Sequence, residues 1–239
     1  MKKNPTNRFF SLLMLIAIIV FNYGCDSNDP TNQANLIVKD LDGNEYHTII
    51  IGTQTWLVEN LKTTKYNDNT AILSVSTNTE WVILITGAYC YYNNNVSNLA
   101  TYGRLYNWYA VNTGKLAPKG WHIPTDAEWA TLVNYVSAHL GTSGSVGKAL
   151  AAKTNWNEDF HSSSPGNNPA TNNSTGFSAL PGGFNYGNGF KNQGDFGYFW
   201  STESDSPHAW QLGLNYGISG MEQGFYGRFC GISVRCIKD

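Results

Sequence analysis

Gly120-Trp121-His122-Ile123-Pro124-Thr125-Asp126-Ala127-Glu128-Trp129 carries a helix start together with its boundary signals. Thr125 and Glu128 stand in S/T-x-x-E register, so the hydroxyl can accept from an orphan amide while the carboxylate reaches back to the Thr125 N–H. Asp126 and Glu128 in the first turn suit the positive end of the helix dipole. Downstream, Trp129, Leu132, Val133, Val136 and Leu140 form one apolar stripe, and Gly141 offers a left-handed stop. Pro124 lies before the cap, where a missing N–H costs no helical hydrogen bond. The pattern predicts a helix over 125–140.

Working outward, apolar runs alternate with turn signals. Leu36 to Lys39 and Glu45 to Ile51 flank Leu41-Asp42-Gly43-Asn44, and Asp-Gly signals a hairpin. Gln54 to Leu61, Trp81 to Thr86 and Ala88 to Tyr92 read as strands. In Gly103 to Asn112, Leu105, Trp108, Tyr109 and Asn112 recur at helical spacing, which predicts a second main helix. A short helix is expected around Val146 to Lys153, then a polar loop from Asn155 to Ser178. Gly-punctuated strands follow from Phe177, ending in Gly231 to Ile237. The expected fold class is α+β: two main helices among short, mostly antiparallel strands with long loops. No internal repeat interrupts residues 36–239, so one domain is expected there.

The N-terminus differs. Lys2, Lys3 and Arg8 precede the apolar run Phe9 to Phe21, broken only by Ser11. That run falls short of the ~20 residues a membrane-spanning helix needs, so residues 1–24 read as a secretory signal peptide. Gly24-Cys25 follows it and resembles the lipobox of bacterial lipoproteins, in which the Cys thiol is acylated. Cys25 is therefore the expected lipidation site, and residues 25–35 a flexible tether. The expected location is the outer membrane or cell surface of a Gram-negative-type bacterium, with the membrane as partner through the lipid.

Charged residues are only 13% of the chain and the net charge is −2, which gives no electrostatic footprint for nucleic acid. Aromatics reach 14% and there are 24 Gly, a composition of short strands and tight loops. Asn serves turns in Asn93-Asn94-Asn95, Asn167-Asn168 and Asn172-Asn173.

Several ordered blocks carry a family resemblance. They are Asp40-Leu41-Asp42-Gly43-Asn44-Glu45-Tyr46, Trp56-Leu57-Val58-Glu59-Asn60-Leu61-Lys62 and Cys90-Tyr91-Tyr92-Asn93-Asn94. Further on come Tyr102-Gly103-Arg104-Leu105-Tyr106-Asn107-Trp108, Gly120 to Pro124, Gly176-Phe177-Ser178-Ala179-Leu180-Pro181-Gly182-Gly183 and Ser233-Val234-Arg235-Cys236. Together, from about Val38 to Asp239, they resemble the Fibrobacter succinogenes major paralogous domain, which implies a bacterial surface lipoprotein. The family's Cys ahead of the Pro-x-Gly-Trp-His block is absent, since Leu116-Ala117-Pro118 has none, and Cys230 is additional. A disulfide pattern therefore does not carry across. Ile123 to Trp129 and the Cys-bearing ending are also distantly similar to the formylglycine-generating enzyme superfamily. That similarity implies a C-type-lectin-like fold with paired N- and C-terminal strands.

An exported compartment favours disulfides. Cys230 and Cys236 stand too far apart along one extended strand to bridge, so Cys90 is expected to pair with one of them. Cys236 is the preferred partner and Cys230 the alternative. A rival reading gives Cys230 and Cys236 to copper, as in the distant enzyme superfamily, whose motif has one fewer intervening residue. The chain has no Gly-x-Ser-x-Gly elbow, no phosphate loop and no zinc spacing, which favours a non-catalytic protein. His122 reads as a structural histidine. Glu158, Asp159 and Asp195 read as solvated loop residues, with a carboxylate pair or a calcium site as the alternatives. No cofactor is expected apart from those copper and calcium alternatives.

Aromatics after residue 155 sit among Asn, Gly and Ser, a mixture suited to glycan or protein recognition. Trp156, Tyr186, Trp210 and Tyr216 are the binding candidates. The expected function is a membrane-anchored binding module for a carbohydrate or protein partner. A copper-dependent modifying enzyme and a structural envelope protein are the alternatives.

Overall fold

The computed structural model describes Met1 and residues 36–140 and 144–239. The rest of the expected signal peptide, Cys25, the tether through residue 35 and the Gly141 stop lie outside the described residues.

The chain opens with strands β1 (Ile37–Lys39), β2 (Glu45–Ile51) and β3 (Gln54–Leu57), the first two forming the expected hairpin with Val38 opposite Tyr46. The Asp40 carboxylate organises the turn by accepting from the Asp42 and Asn44 amides, both at 2.9 Å, and Gly43 takes the left-handed φ of 82°. Next come β4 (Leu73–Ser74), α1 (Asn78–Ile83), β5 (Ala88–Cys90), α2 (Leu99–Tyr102), β6 (Leu105–Tyr106) and α3 (Trp108–Val111). After β7 (Trp121–His122) come α4 (Asp126–His139) and α5 (Val146–Leu150). Strands β8 (Gly182–Asn185), β9 (Phe190–Gln193), β10 (Phe196–Asp205), β11 (His208–Asn215), β12 (Met221–Gly227) and β13 (Ile237–Lys238) complete the chain.

The α4 boundary follows the sequence signals. Thr125 accepts from the Glu128 amide at 3.2 Å, and Glu128 accepts from the Thr125 amide at 2.8 Å, a complete capping box. Trp129, Leu132 and Val136 are buried by this helix, with Val133 and Leu140 packed at the edge of the same core. Trp129 lies 4.9 Å from Trp56 and 5.8 Å from Phe199, ring centre to ring centre, so one helix face closes over strands from both halves of the chain. Burying an apolar side chain of this kind contributes roughly 1.5–3 kcal/mol.

Two expectations fail for local reasons. Trp81 to Thr86 was expected to be a strand, but Asn78–Ile83 is helical. Thr77 accepts from the Glu80 amide at 3.4 Å and caps it, and only Trp81 of the helix is buried. The second main helix is cut to about one turn, Trp108–Val111. Leu105 and Tyr106 pair with Cys90 and Tyr89, and the helix proper begins only after Asn107. The Asn107 carboxamide oxygen accepts from the Ala88 amide at 2.9 Å and the Ala110 amide at 3.1 Å, joining strand and helix at one residue. The fold is α+β with mostly antiparallel sheets, one long helix and several short ones.

One five-stranded sheet runs β1-β2-β3-β13-β7, so the C-terminal strand sits between β3 and the strand that precedes α4. Ile237 pairs with both Trp56 and His122. Smaller sheets are β10-β11-β12, β4-β5-β6 and β8-β9. The expected strand from Gly231 to Ile237 is instead an extended segment threaded through the core. Gly231 bridges Asn185, Ile232 bridges Tyr106 and Ser233 bridges Phe199. The Val234 and Cys236 carbonyls accept from the Leu61 and Leu57 amides, at 2.9 and 3.0 Å. Neighbouring residues thus tie different elements together.

Candidate ligand-binding surface

Strand alternation sorts the late aromatics between the two faces of β10-β11-β12. Ala209 opposes Tyr226, and Trp210 opposes Phe225. On the first face Tyr226 packs on Phe184 at 4.8 Å, and Phe184 touches Tyr186 at 5.9 Å. On the second face Phe225 stands edge-on to Trp210 at 5.8 Å and to His208 at 5.1 Å. Tyr186 and Trp210 therefore belong to opposite faces.

The four candidate side chains do not form one site. Trp156 is 6% exposed and belongs to the core with Trp129, Phe177 and Phe199, so it is withdrawn as a surface residue. Tyr216 is partly buried against that same core. Tyr186 is 42% exposed, with the Lys191 ammonium 5.3 Å from its ring centre. Trp210 is partly exposed beside Phe225, which is 58% exposed.

The Trp210 face carries a cleft. Asp205, His208, Ala209, Trp210 and Phe225 line a cleft of about 200 Å³. Asp205 pairs with His208 across the tight turn joining β10 to β11, placing a carboxylate next to an imidazole at one end of the aromatic strip. At the other end, Gln223 donates to the Asp126 carboxylate at 2.9 Å, where the start of α4 covers the sheet. Beyond that bond Leu212, Leu214 and Met221 are core. The residues missed as a group, Asp205, His208 and Phe225, were legible only as a period-two pattern flanking Ser206-Pro207.

His122 is held at both ring nitrogens, by Asp239 at 2.7 Å and Glu128 at 2.8 Å. Burial lowers its pKa, but those two bonds outweigh it and hold the imidazole above its usual value. With neither nitrogen free, it clamps β7 to α4 and the C-terminal strand and offers no general base. Asp159 accepts from Ser164 Oγ at 2.6 Å and from the His161 amide at 2.9 Å, while Asp195 accepts from Asn157 at 2.8 Å. Internal bonds thus occupy the Asp159 and Asp195 carboxylates, while Glu158 is exposed. No group of three or more His, Cys, Asp or Glu side chains able to share a metal ion occurs among the described residues.

Cys90, Cys230 and Cys236 are free and buried, so the expected disulfide from Cys90 to Cys236 or Cys230 is not formed. Cys90 is packed in a different cluster from Cys230 and Cys236. It lies with Trp81 and Tyr92 and accepts weakly from Asn185 at 3.6 Å. Burial pushes the Cys90 and Cys230 thiols up to about 12 and Cys236 higher still. Fully buried side chains at Cys230 and Cys236 do not offer the accessible thiol pair a copper centre needs.

The class defined by these features is an α+β domain closed by its own C-terminal segment, with an aromatic cleft on an outlying antiparallel sheet. The family model described as the Fibrobacter succinogenes major domain matches residues 49–238, and the chain belongs to that family. No curated protein and no solved structure matches it.

Proposed function

We propose that this protein is an exported, lipid-anchored, non-catalytic binding module that recognises a glycan through its late strands. The observation that carries the reading is the solvent-facing cleft of His208, Trp210 and Phe225 on a sheet whose adjoining part is core. Large aromatics left in water contribute little to folding, and their flat faces suit the C–H faces of sugar rings. The basic start, short apolar run and Gly24-Cys25 of the sequence support export and acylation at Cys25. Pairing of β3 with β13 supports the lectin-like arrangement.

A second reading, recognition of a protein, has its own observation. Val82, Ile83 and Ile85 are exposed, and Val82 and Phe229 both adjoin Gly187 beside Tyr186, forming an apolar strip on the other side of the molecule. A glycan array probed with the full-length chain separates the two. Saturable binding to defined glycans is expected. A blank array, with a discrete protein partner whose binding is lost in Ile83→Asp, overturns the glycan reading in favour of the second.

A further inference from the structure

We propose that the cleft between the β10–β11 turn and β12 is a subsite for one pyranose ring of a neutral or amino-bearing glycan. Trp210 and Phe225 form the stacking surface, and Asp205 and His208 the hydrogen-bonding edge. This rests on the recognition role proposed above and assigns that role to one place.

The sequence builds the site with few parts. Asp205-Ser206-Pro207-His208 reverses the chain, and register places Asp205 beside His208. Alternation then puts His208 and Trp210 on one face, and pairing sets Phe225 next to Trp210. Phe225 stands nearly perpendicular to Trp210, at 84° between ring planes, so the two rings make an angled wall rather than a flat stack. A sugar ring can lay its C–H face on one ring and its edge against the other.

Size and charge narrow the ligand. At about 200 Å³ the cleft lies below the roughly 300–1,000 Å³ of pockets for drug-sized ligands, which suits a single ring with the remaining chain outside. The Asp205 carboxylate and the His208 imidazole make no ion pair or hydrogen bond with other described side chains, so both are free for hydroxyls. A carboxylate accepts from two adjacent hydroxyls or from a sugar ammonium. No Lys or Arg lines the cleft. Arg228, in the turn after β12, is taken up by the Trp108 ring at 4.7 Å and Ser204 Oγ at 2.9 Å. A uronic acid, sialic acid or phosphorylated sugar would meet Asp205 without a compensating cation, so anionic glycans are rejected.

Titration calorimetry on the full-length chain in detergent tests this, with cellotetraose, chitotetraose, glucosamine tetramer and tetragalacturonic acid as probes. Saturable binding to at least one of the first three is expected, and none to tetragalacturonic acid. Phe225→Ser, at an exposed position, should weaken binding about tenfold or more with unchanged melting, and Trp210→Ala should weaken it at least as much. Asp205→Asn should weaken the glucosamine tetramer most. Binding that survives Phe225→Ser and Trp210→Ala but fails in Tyr186→Ala would overturn this site while leaving glycan recognition standing. No saturable binding to any tetramer overturns the subsite, and with a blank glycan array the recognition role falls as well.

Discussion

Arg235 is a fully buried cation held without a bonded carboxylate. Its Nε donates to Asn60 Oδ1 at 2.8 Å, its Nη1 to the Leu57 and Phe177 carbonyls at 3.2 and 2.7 Å, and its Nη2 to the Ser178 carbonyl at 2.9 Å. Phe177 and Phe199 lie under the guanidinium at 4.6 and 5.4 Å. Burial pushes its pKa down to about 9, which leaves it charged at neutral pH. Arg235→Met should strand those acceptors and lower stability by roughly 1–3 kcal/mol for each one left unpaired. Lys keeps the charge without the planar fork and should rescue little. Urea midpoints measure both, and a loss below about 1 kcal/mol for Met would contradict this role. His122 gives a pH signature. Its raised pKa means its contribution is complete below 6.5 and lost as pH rises through the folded value. For Glu128, burial raises the pKa, but bonds from Thr125 and His122 bring it below usual, so its contribution is present above 4.5 and lost as pH falls through the folded value. The stability gap between wild type and His122→Gln should therefore be widest between 4.5 and 6.5 and shrink in alkali. Solvent screening keeps it under about 1 kcal/mol. Denaturation across pH checks this, and a gap that widens above neutrality would contradict it.

At the scale of elements, α4 was legible because its code is local. Thr125, Glu128 and the apolar stripe all lie within one short window, and each does what its spacing predicts. Thr125→Ala should cost about 1 kcal/mol by leaving the Glu128 amide uncapped, while Thr125→Ser should be close to neutral. Thermal melting of the two variants tests the cap, and equal losses would count against it. Helix α1 was obscured because Val82, Ile83 and Ile85 carry strong strand preference, although Thr77 and Glu80 form the same cap register as Thr125 and Glu128. The Gly231 to Cys236 segment was legible as extended but not as a thread, since its partners Asn185, Tyr106 and Phe199 come from separate parts of the chain. Local pattern carries no information about which distant element accepts a hydrogen bond. The same limit governs the site. Trp210 and Tyr186 were visible as candidates, but Trp156 is chemically indistinguishable from them until the core is assembled around it. Only strand register together with the ring contacts of Tyr226 and Phe184 shows that Trp210 and Tyr186 face opposite ways.

At the scale of the whole molecule, we propose a folded domain held to a membrane through Cys25. Among the described residues no helix is long and apolar enough to cross a membrane. The anchoring proposed above rests on the sequence around Cys25. Acyl chains contribute roughly 0.8 kcal/mol per buried CH₂, so two or more hold a protein firmly. Cys25→Ser should move the domain from the membrane to the soluble fraction with its melting unchanged and abolish palmitate incorporation. Unlabelled wild-type protein that fractionates like the variant would contradict the anchor. Recognition is the central claim, and hydrogen–deuterium exchange of the full-length chain tests it most directly, run with and without millimolar chitotetraose and cellotetraose. Slowed exchange confined to residues 203–227, around the Asp205, His208, Trp210 and Phe225 cleft, is the predicted result. Protection centred on residues 184–193 around Tyr186, or no protection with either sugar, would contradict it.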